Sequence, residues 1–112
     1  MTRYPKDDNL YLNHMLENID LMLSFVEDGK RDDKTFYAVI RCFEVIAEAA
    51  KHISDDFKKQ YPELPWTEMR GMRNALVHDY LGIHAKSLWD TVSHDIPLLR
   101  EQITSLLNVF ND

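Results

Sequence analysis

Phe36-Tyr37-Ala38-Val39-Ile40-Arg41-Cys42-Phe43-Glu44-Val45-Ile46-Ala47-Glu48-Ala49-Ala50-Lys51-His52-Ile53 places Phe36, Val39, Ile40, Phe43, Ile46, Ala47, Ala50 and Ile53 at steps of three and four residues. That period belongs to a helix with one buried face, because a strand would alternate its faces at every residue. The apolar stripe is broad enough to meet more than one neighbour, and Ala47, Ala49 and Ala50 permit close helix approach. The spacing predicts a helix from about Lys34 to Ser54, with Asp32-Asp33 supplying its N-cap.

The same period extends outward on both sides. Upstream, Leu10, Leu12, Met15, Leu16, Ile19, Met22, Leu23 and Val26 predict a helix from about Asp8 to Glu27, capped by Asp7 or Asp8 and closed by a left-handed Gly29. Downstream, Ser54 is placed to cap a short helical piece ending at Gln60, and Pro62-Glu63-Leu64-Pro65 then breaks the pattern. Thr67 is expected to cap a helix from about Glu68 to Val77 that turns Met69, Met72, Leu76 and Val77 inward and stops by Gly82. A final segment, about Ala85 to Phe110, spaces Leu88, Trp89, Val92, Ile96, Leu99, Ile103, Leu106, Leu107 and Phe110 helically. Pro97 lacks an amide proton and should kink or divide it near Ser93 to Ile96.

No strand alternation, internal repeat or low-complexity tract competes with this reading. The fold expected is all-α, an up-and-down bundle of four to five helices forming a single domain over residues 1–112. Such wide apolar faces on a small bundle make a homodimer an expectation.

Size and composition narrow the function. At 112 residues the chain suits one domain, and its 45% hydrophobic and 29% charged residues are ordinary for a globular protein. No apolar run approaches the roughly 20 residues that span a bilayer, so no transmembrane helix is expected. The N-terminus, Met1-Thr2-Arg3-Tyr4-Pro5-Lys6-Asp7-Asp8, lacks the apolar core of a secretory signal, which points to the cytoplasm. The single cysteine, Cys42, lies among Ile40, Phe43 and Ile46 and reads as a buried core thiol, with no disulfide possible within one chain. A net charge of −6 argues against sequence-blind, charge-driven binding to nucleic acid, so any RNA site has to be local.

Arg73-Asn74-Ala75-Leu76-Val77-His78-Asp79-Tyr80 is the stretch richest in chemistry. Arginine offers a planar fork of donors to phosphoryl oxygens, and histidine titrates near neutrality. On an ideal helix Arg73 and Tyr80 share a face, whereas Arg73 and His78 diverge by about 140°, so a joint site needs the helix to unwind near Gly82. Asn74, four residues before His78, can orient the imidazole. Spacing alone leaves a second account open. In it Arg73 pairs with an acid, His78 favours the negative end of the helix dipole, and Tyr80 packs its ring with its hydroxyl in water.

Glu44, Glu48 and His52 form a row on one helix face and could be imagined as metal ligands. Only one helix offers such a row and paired ExxH motifs are absent, so neither a metal nor a cofactor is expected. Glu48 is instead expected to pair with Arg73 or Arg70. His14, His84 and His94 share no spacing and read as surface or capping residues. Trp66 and Trp89 read as core anchors, and Met15, Met22, Met69 and Met72 as packing residues.

The span Pro65-Trp66-Thr67-Glu68-Met69-Arg70-Gly71-Met72-Arg73-Asn74-Ala75-Leu76-Val77-His78-Asp79-Tyr80 resembles the signature of the HepT-like proteins of the HEPN superfamily, whose Arg-x4-His-x-Tyr pattern is intact here. Ile46-Ala47-Glu48-Ala49-Ala50-Lys51 is similar to that family's Gly-Glu-Ala helix, with Ala47 in place of the usual glycine. Leu88-Trp89-Asp90 falls where the family places a Val-Trp pair, so the resemblance covers residues 8–107. It implies a HEPN-like fold and a metal-independent endoribonuclease acting as the toxin of a toxin-antitoxin pair. Arg73 and His78 would be catalytic at a homodimer cleft, with Asn74, Glu48 and Arg70 in support. It also implies an MNT-type nucleotidyltransferase antitoxin that transfers AMP onto Tyr80. The alternative class is a non-catalytic module that docks such a nucleotidyltransferase or holds a nucleotide.

Overall fold

A computed structural model describes residues 6–71 and 85–111 of the chain. Helix α1 spans Lys6–Val26, α2 Asp33–His52 and α3 Asp55–Gln60. Helix α4 starts at Trp66 and is described over 66–71. Helix α5 (Ala85–Asp90) runs through a π-helical turn, Thr91–Asp95, into α6 (Ile96–Leu107), and a 3-10 turn, Asn108–Asn111, follows. Every regular element among the described residues is helical, which bears out the all-α bundle.

The core is built where the period predicts it. Helix α1 turns Leu12, Met15, Ile19 and Met22 inward, α2 buries Val39, Phe43, Ile46 and Ala50, and α6 buries Ile96, Leu99, Ile103 and Leu106. Helix α1 packs against both α2 and α6. The expected stripe over-reaches at Leu10, which stays 48% exposed because its side chain falls outside the arc of α1 that faces the bundle.

Local signals set most boundaries. Gly29 adopts φ +82° and its amide bonds the Val26 carbonyl at 3.0 Å, closing α1 in the left-handed conformation that glycine reaches without a Cβ penalty. Asp32 caps α2 by accepting from the Thr35 hydroxyl at 2.7 Å and the Thr35 amide at 2.8 Å, and these hydrogen bonds hold its carboxyl below the ordinary carboxylate range. Ser54 caps α3 by accepting from the Phe57 amide at 3.2 Å. In the last segment the Ile96 amide bonds the Thr91 carbonyl five residues back, so the helix widens just ahead of Pro97. That widening gives the proline ring room where a regular α-turn would drive it into the preceding backbone.

Two caps differ from expectation. Thr67 lies inside the first turn of α4, since the Met69 amide bonds the Pro65 carbonyl at 2.9 Å and puts Pro65 at the cap. Asp8 also lies inside its helix, within the first turn of α1, and turns its carboxylate away to a more distant partner. It is 1% exposed, and its two oxygens accept from the Ser54 amide and the Ser54 hydroxyl, both at 2.7 Å. One buried carboxylate thus ties the start of α1 to the junction of α2 and α3, which fixes α1 and α2 antiparallel. Asp8→Ala leaves the Ser54 amide without its acceptor and is expected to cost about 1–3 kcal/mol in urea unfolding. A change within ~0.5 kcal/mol would show that water replaces the carboxylate there.

Cys42 is 2% exposed, and burial pushes its thiol up to about 11 from an ordinary 9.0. The reactive thiolate is therefore about 100-fold scarcer at pH 8 than in an unperturbed thiol. Maleimide labelling of native protein is expected to be slower than labelling in urea by at least that factor, and equal rates would contradict a buried Cys42.

Candidate functional site

Helix α4, the last described element ahead of the motif, is fixed at its start by aromatic packing. After α3, Pro62 to Pro65 make a tight turn in which the Trp66 indole donates to the Tyr61 carbonyl at 2.9 Å. The Trp66 ring meets Phe57 edge-on at 6.4 Å between centroids, and Met69 is 1% exposed. Trp66 and Met69 therefore point α4 into the core, and Arg70, next in sequence, faces solvent. A Cβ on Gly71 would meet nothing within 4 Å, so close packing does not demand glycine there.

The chain is fixed again where α5 begins the return. Leu88 is fully buried, and Trp89 lies half-buried with the Arg31 guanidinium 5.2 Å from its ring centroid. That cation-π contact ties the loop between α1 and α2 to α5. Both tryptophans thus anchor the bundle, as their positions in the sequence imply.

Of the site residues read from sequence, Glu48 and Arg70 fall on described parts of the chain. Arg73, Asn74, His78 and Tyr80 lie outside the described residues, as do His84, Gly82 and Met72. Glu48 does not pair with Arg70. Its carboxylate lies 3.2 Å from His52 Nε2, one helical turn along α2, and the His52 ring stacks on Tyr11 of α1 at 5.1 Å and 19°. His52 is the closer partner because residues four apart on a helix share a face, whereas Arg70 sits on another element. Sequence reading offered His52 only as a potential metal ligand beside Glu48. The spacing was signal enough for a pair, but nothing in it marked Tyr11 as the ring beneath.

The row of potential ligands on α2 divides into separate pairs, with Glu44 taking Arg41 at 3.4 Å and Glu48 taking His52. Among the described residues no three His, Cys, Asp or Glu side chains converge as metal ligands would. His14 and His94 are both exposed, as expected. With Nδ1 protonated, His94 donates to the Asp90 carbonyl at 3.0 Å beside the π-helical turn. No helix among the described residues is long and apolar enough to cross a membrane.

Comparison with known proteins places this framework. The family model described as ribonuclease HepT-like matches residues 15–106, a span that contains the whole Arg73-to-Tyr80 motif. A Thermococcus cleftensis protein named "Probable ribonuclease HepT" is 44% identical over 111 residues, covering 95% of this chain and 98% of that relative. A Methanocaldococcus jannaschii protein named "Putative RNase MJ1380" is 35% identical, covering 88% of this chain and 94% of its own length. A second protein of that organism, named "Gamma-glutamylcyclotransferase and putative RNase MJ0434", is 38% identical, and the match covers 91% of this chain but 48% of that relative. No solved structure gives a significant match. With the family model matched over most of the chain and the helical bundle it calls for in place, the chain belongs to the ribonuclease HepT-like family of the HEPN superfamily.

Proposed function

We propose that the protein is a metal-independent endoribonuclease and the toxin of a toxin-antitoxin pair. The observation that carries this reading is the complete Arg73-x4-His78-x-Tyr80 pattern inside the matched span, in a chain whose relatives bear ribonuclease names. The motif holds what internal cleavage of RNA requires. One His78 takes the proton from a ribose 2′-hydroxyl as its oxygen attacks the adjacent phosphorus, and a second gives a proton to the departing 5′-oxygen. The P–O5′ bond breaks as the new P–O2′ bond forms, leaving a 2′,3′-cyclic phosphate and a 5′-hydroxyl. Arg73 stabilises the charge gathering on the phosphoryl oxygens.

A single chain supplies one His78, so a homodimer that joins two motifs in one cleft accounts for both proton transfers. Asn74 would orient the imidazole, and the exposed Arg70, three residues before Arg73 in sequence, adds positive charge toward RNA. Glu48, bonded to His52, belongs to this set as a positioning residue on α2.

Control is assigned to Tyr80. A partner nucleotidyltransferase would transfer AMP from ATP to the Tyr80 hydroxyl with release of pyrophosphate, setting a phosphate and a base where RNA must bind. Intact mass after incubation with that partner and ATP is expected to rise by one or more AMP units, with the first increment lost in Tyr80→Phe. Full modification of Tyr80→Phe would place the acceptor elsewhere.

The net charge of −6 favours a second reading, a non-catalytic module that docks the nucleotidyltransferase or holds a nucleotide. An RNA cleavage assay with mapped product ends separates the two. Cleavage with the ends named above supports the nuclease, and none at high protein concentration supports the module.

A further inference from the structure

Between the turn ahead of α4 and the first turns of α6 lies a groove of about 370 Å³, within the range of sites that take a ligand or a partner's side chains. Its floor is apolar, made by Pro65, Ile96, Leu98 and Leu99, and Leu98 is left 57% exposed on a helix whose neighbours Ile96 and Leu99 are buried. Its rim carries Glu63, Glu68 and Asp95, with no lysine or arginine among the described lining residues. None of these carboxylates forms an ion pair among the described residues, and Asp95 makes no side-chain cap bond at the start of α6. The hollow on the other side of Glu68 differs, since there Lys58 and Lys59 offset Asp55 and Glu68.

We propose that this groove docks a basic, amphipathic segment of a partner protein, with an apolar side chain set on Leu98 and Leu99 and lysine or arginine side chains against Glu63, Glu68 and Asp95. Charge complementarity selects the occupant. Phosphates are repelled from the rim, so RNA does not track this face. A second copy of the chain, itself at −6, gains little electrostatically by approaching it. The apolar floor asks for more than a cation, and an exposed leucine beside unpaired carboxylates matches a segment that alternates basic and apolar residues. None of the named lining residues belongs to the Arg73-to-Tyr80 motif, and the proposal does not depend on how that motif works.

The test is selection of a displayed library of random short peptides on the full-length protein, counter-selected on Leu98→Glu/Asp95→Lys. Both substitutions are at exposed positions, and circular dichroism checks that the variant folds. Enriched peptides are expected to carry at least two basic residues beside an aliphatic or aromatic one and to bind the variant roughly tenfold or more weakly. The proposal is overturned if enriched peptides lack basic residues, bind the variant equally, or fail to emerge. It is also overturned if spermidine displaces them as well as an unlabelled peptide does, since a small polycation would then be the occupant.

Discussion

Replacing His78 by alanine is expected to lower RNA cleavage by about 10²–10⁴-fold while secondary structure and oligomeric state stay as they are. The size follows from what the group does. A 2′-hydroxyl is a poor nucleophile until its proton is taken, and a 5′-oxygen a poor leaving group until it receives one, so an imidazole titrating near neutrality serves both ends. If two copies of His78 share one cleft, a single substitution removes base and acid together. Arg73→Ala is expected to lose about 10²–10³-fold through the charge it leaves unstabilised on phosphorus, and Arg73→Lys to recover only part, because an ammonium cannot span two phosphoryl oxygens as a guanidinium fork does. Undiminished cleavage by folded His78→Ala protein would end the proposed mechanism. A rate that falls without change in the product ends would keep it.

The largest expected loss of stability is at Phe57. This residue is fully buried, and its ring lies 4.8 Å from Tyr61, 6.4 Å from Trp66 and 5.8 Å from Phe110, measured between centroids. It joins α3, the turn ahead of α4 and the closing 3-10 turn. Phe57→Ala leaves a cavity that these surrounding rings, held by their own contacts, fill poorly, and is expected to cost about 3–5 kcal/mol in denaturant unfolding. Phe57→Leu keeps most of the volume and is expected to recover more than half. If alanine costs under ~1 kcal/mol, the aromatic cluster does not hold this end of the bundle. Because Trp66 starts α4, the last described element ahead of the motif, the alanine variant is also expected to lose cleavage at temperatures where wild type is active.

Much of this architecture was legible in the sequence because its causes are local. The cap at Asp32, the cap at Ser54, the left-handed Gly29 and the departure from α-helix ahead of Pro97, expected as a kink or division and found as a π-helical widening, each depend on residues within a few positions of one another. What escaped depends on distance along the chain. Asp8 looked like a cap for its own helix, and nothing nearby revealed an acceptor site at Ser54, 46 residues away. Thr67 is a better capping type than Pro65, yet the turn between Pro62 and Pro65 had already set where the α4 hydrogen bonds begin. Leu10 fits the apolar period of α1 and remains exposed, since periodicity gives a helix a preferred side without saying how wide its neighbours are. The candidate site divides in the same way. Arg73, His78 and Tyr80 were legible as chemistry, from residue type and resemblance. Glu48 was expected to pair with Arg73 or Arg70; it meets His52 and not Arg70, because a partner one turn away on the same helix needs no tertiary fold to reach it, and Arg73 lies outside the described residues.

The π-helical turn at Thr91–Asp95 makes the last quarter of the protein a counting device. Leu88 before the turn, Val92 within it and Ile96, Leu99 and Ile103 after it all reach the same core. Each residue of an α-helix turns the next by about 100°, and the widened turn already holds the one extra residue it can absorb, so adding another there would rotate α5 against α6 by about that angle. Leu88 would then leave the core and Trp89 its place beneath Arg31. Ser93, His94 and Asp95 face solvent, so this stretch can vary in identity far more readily than in length.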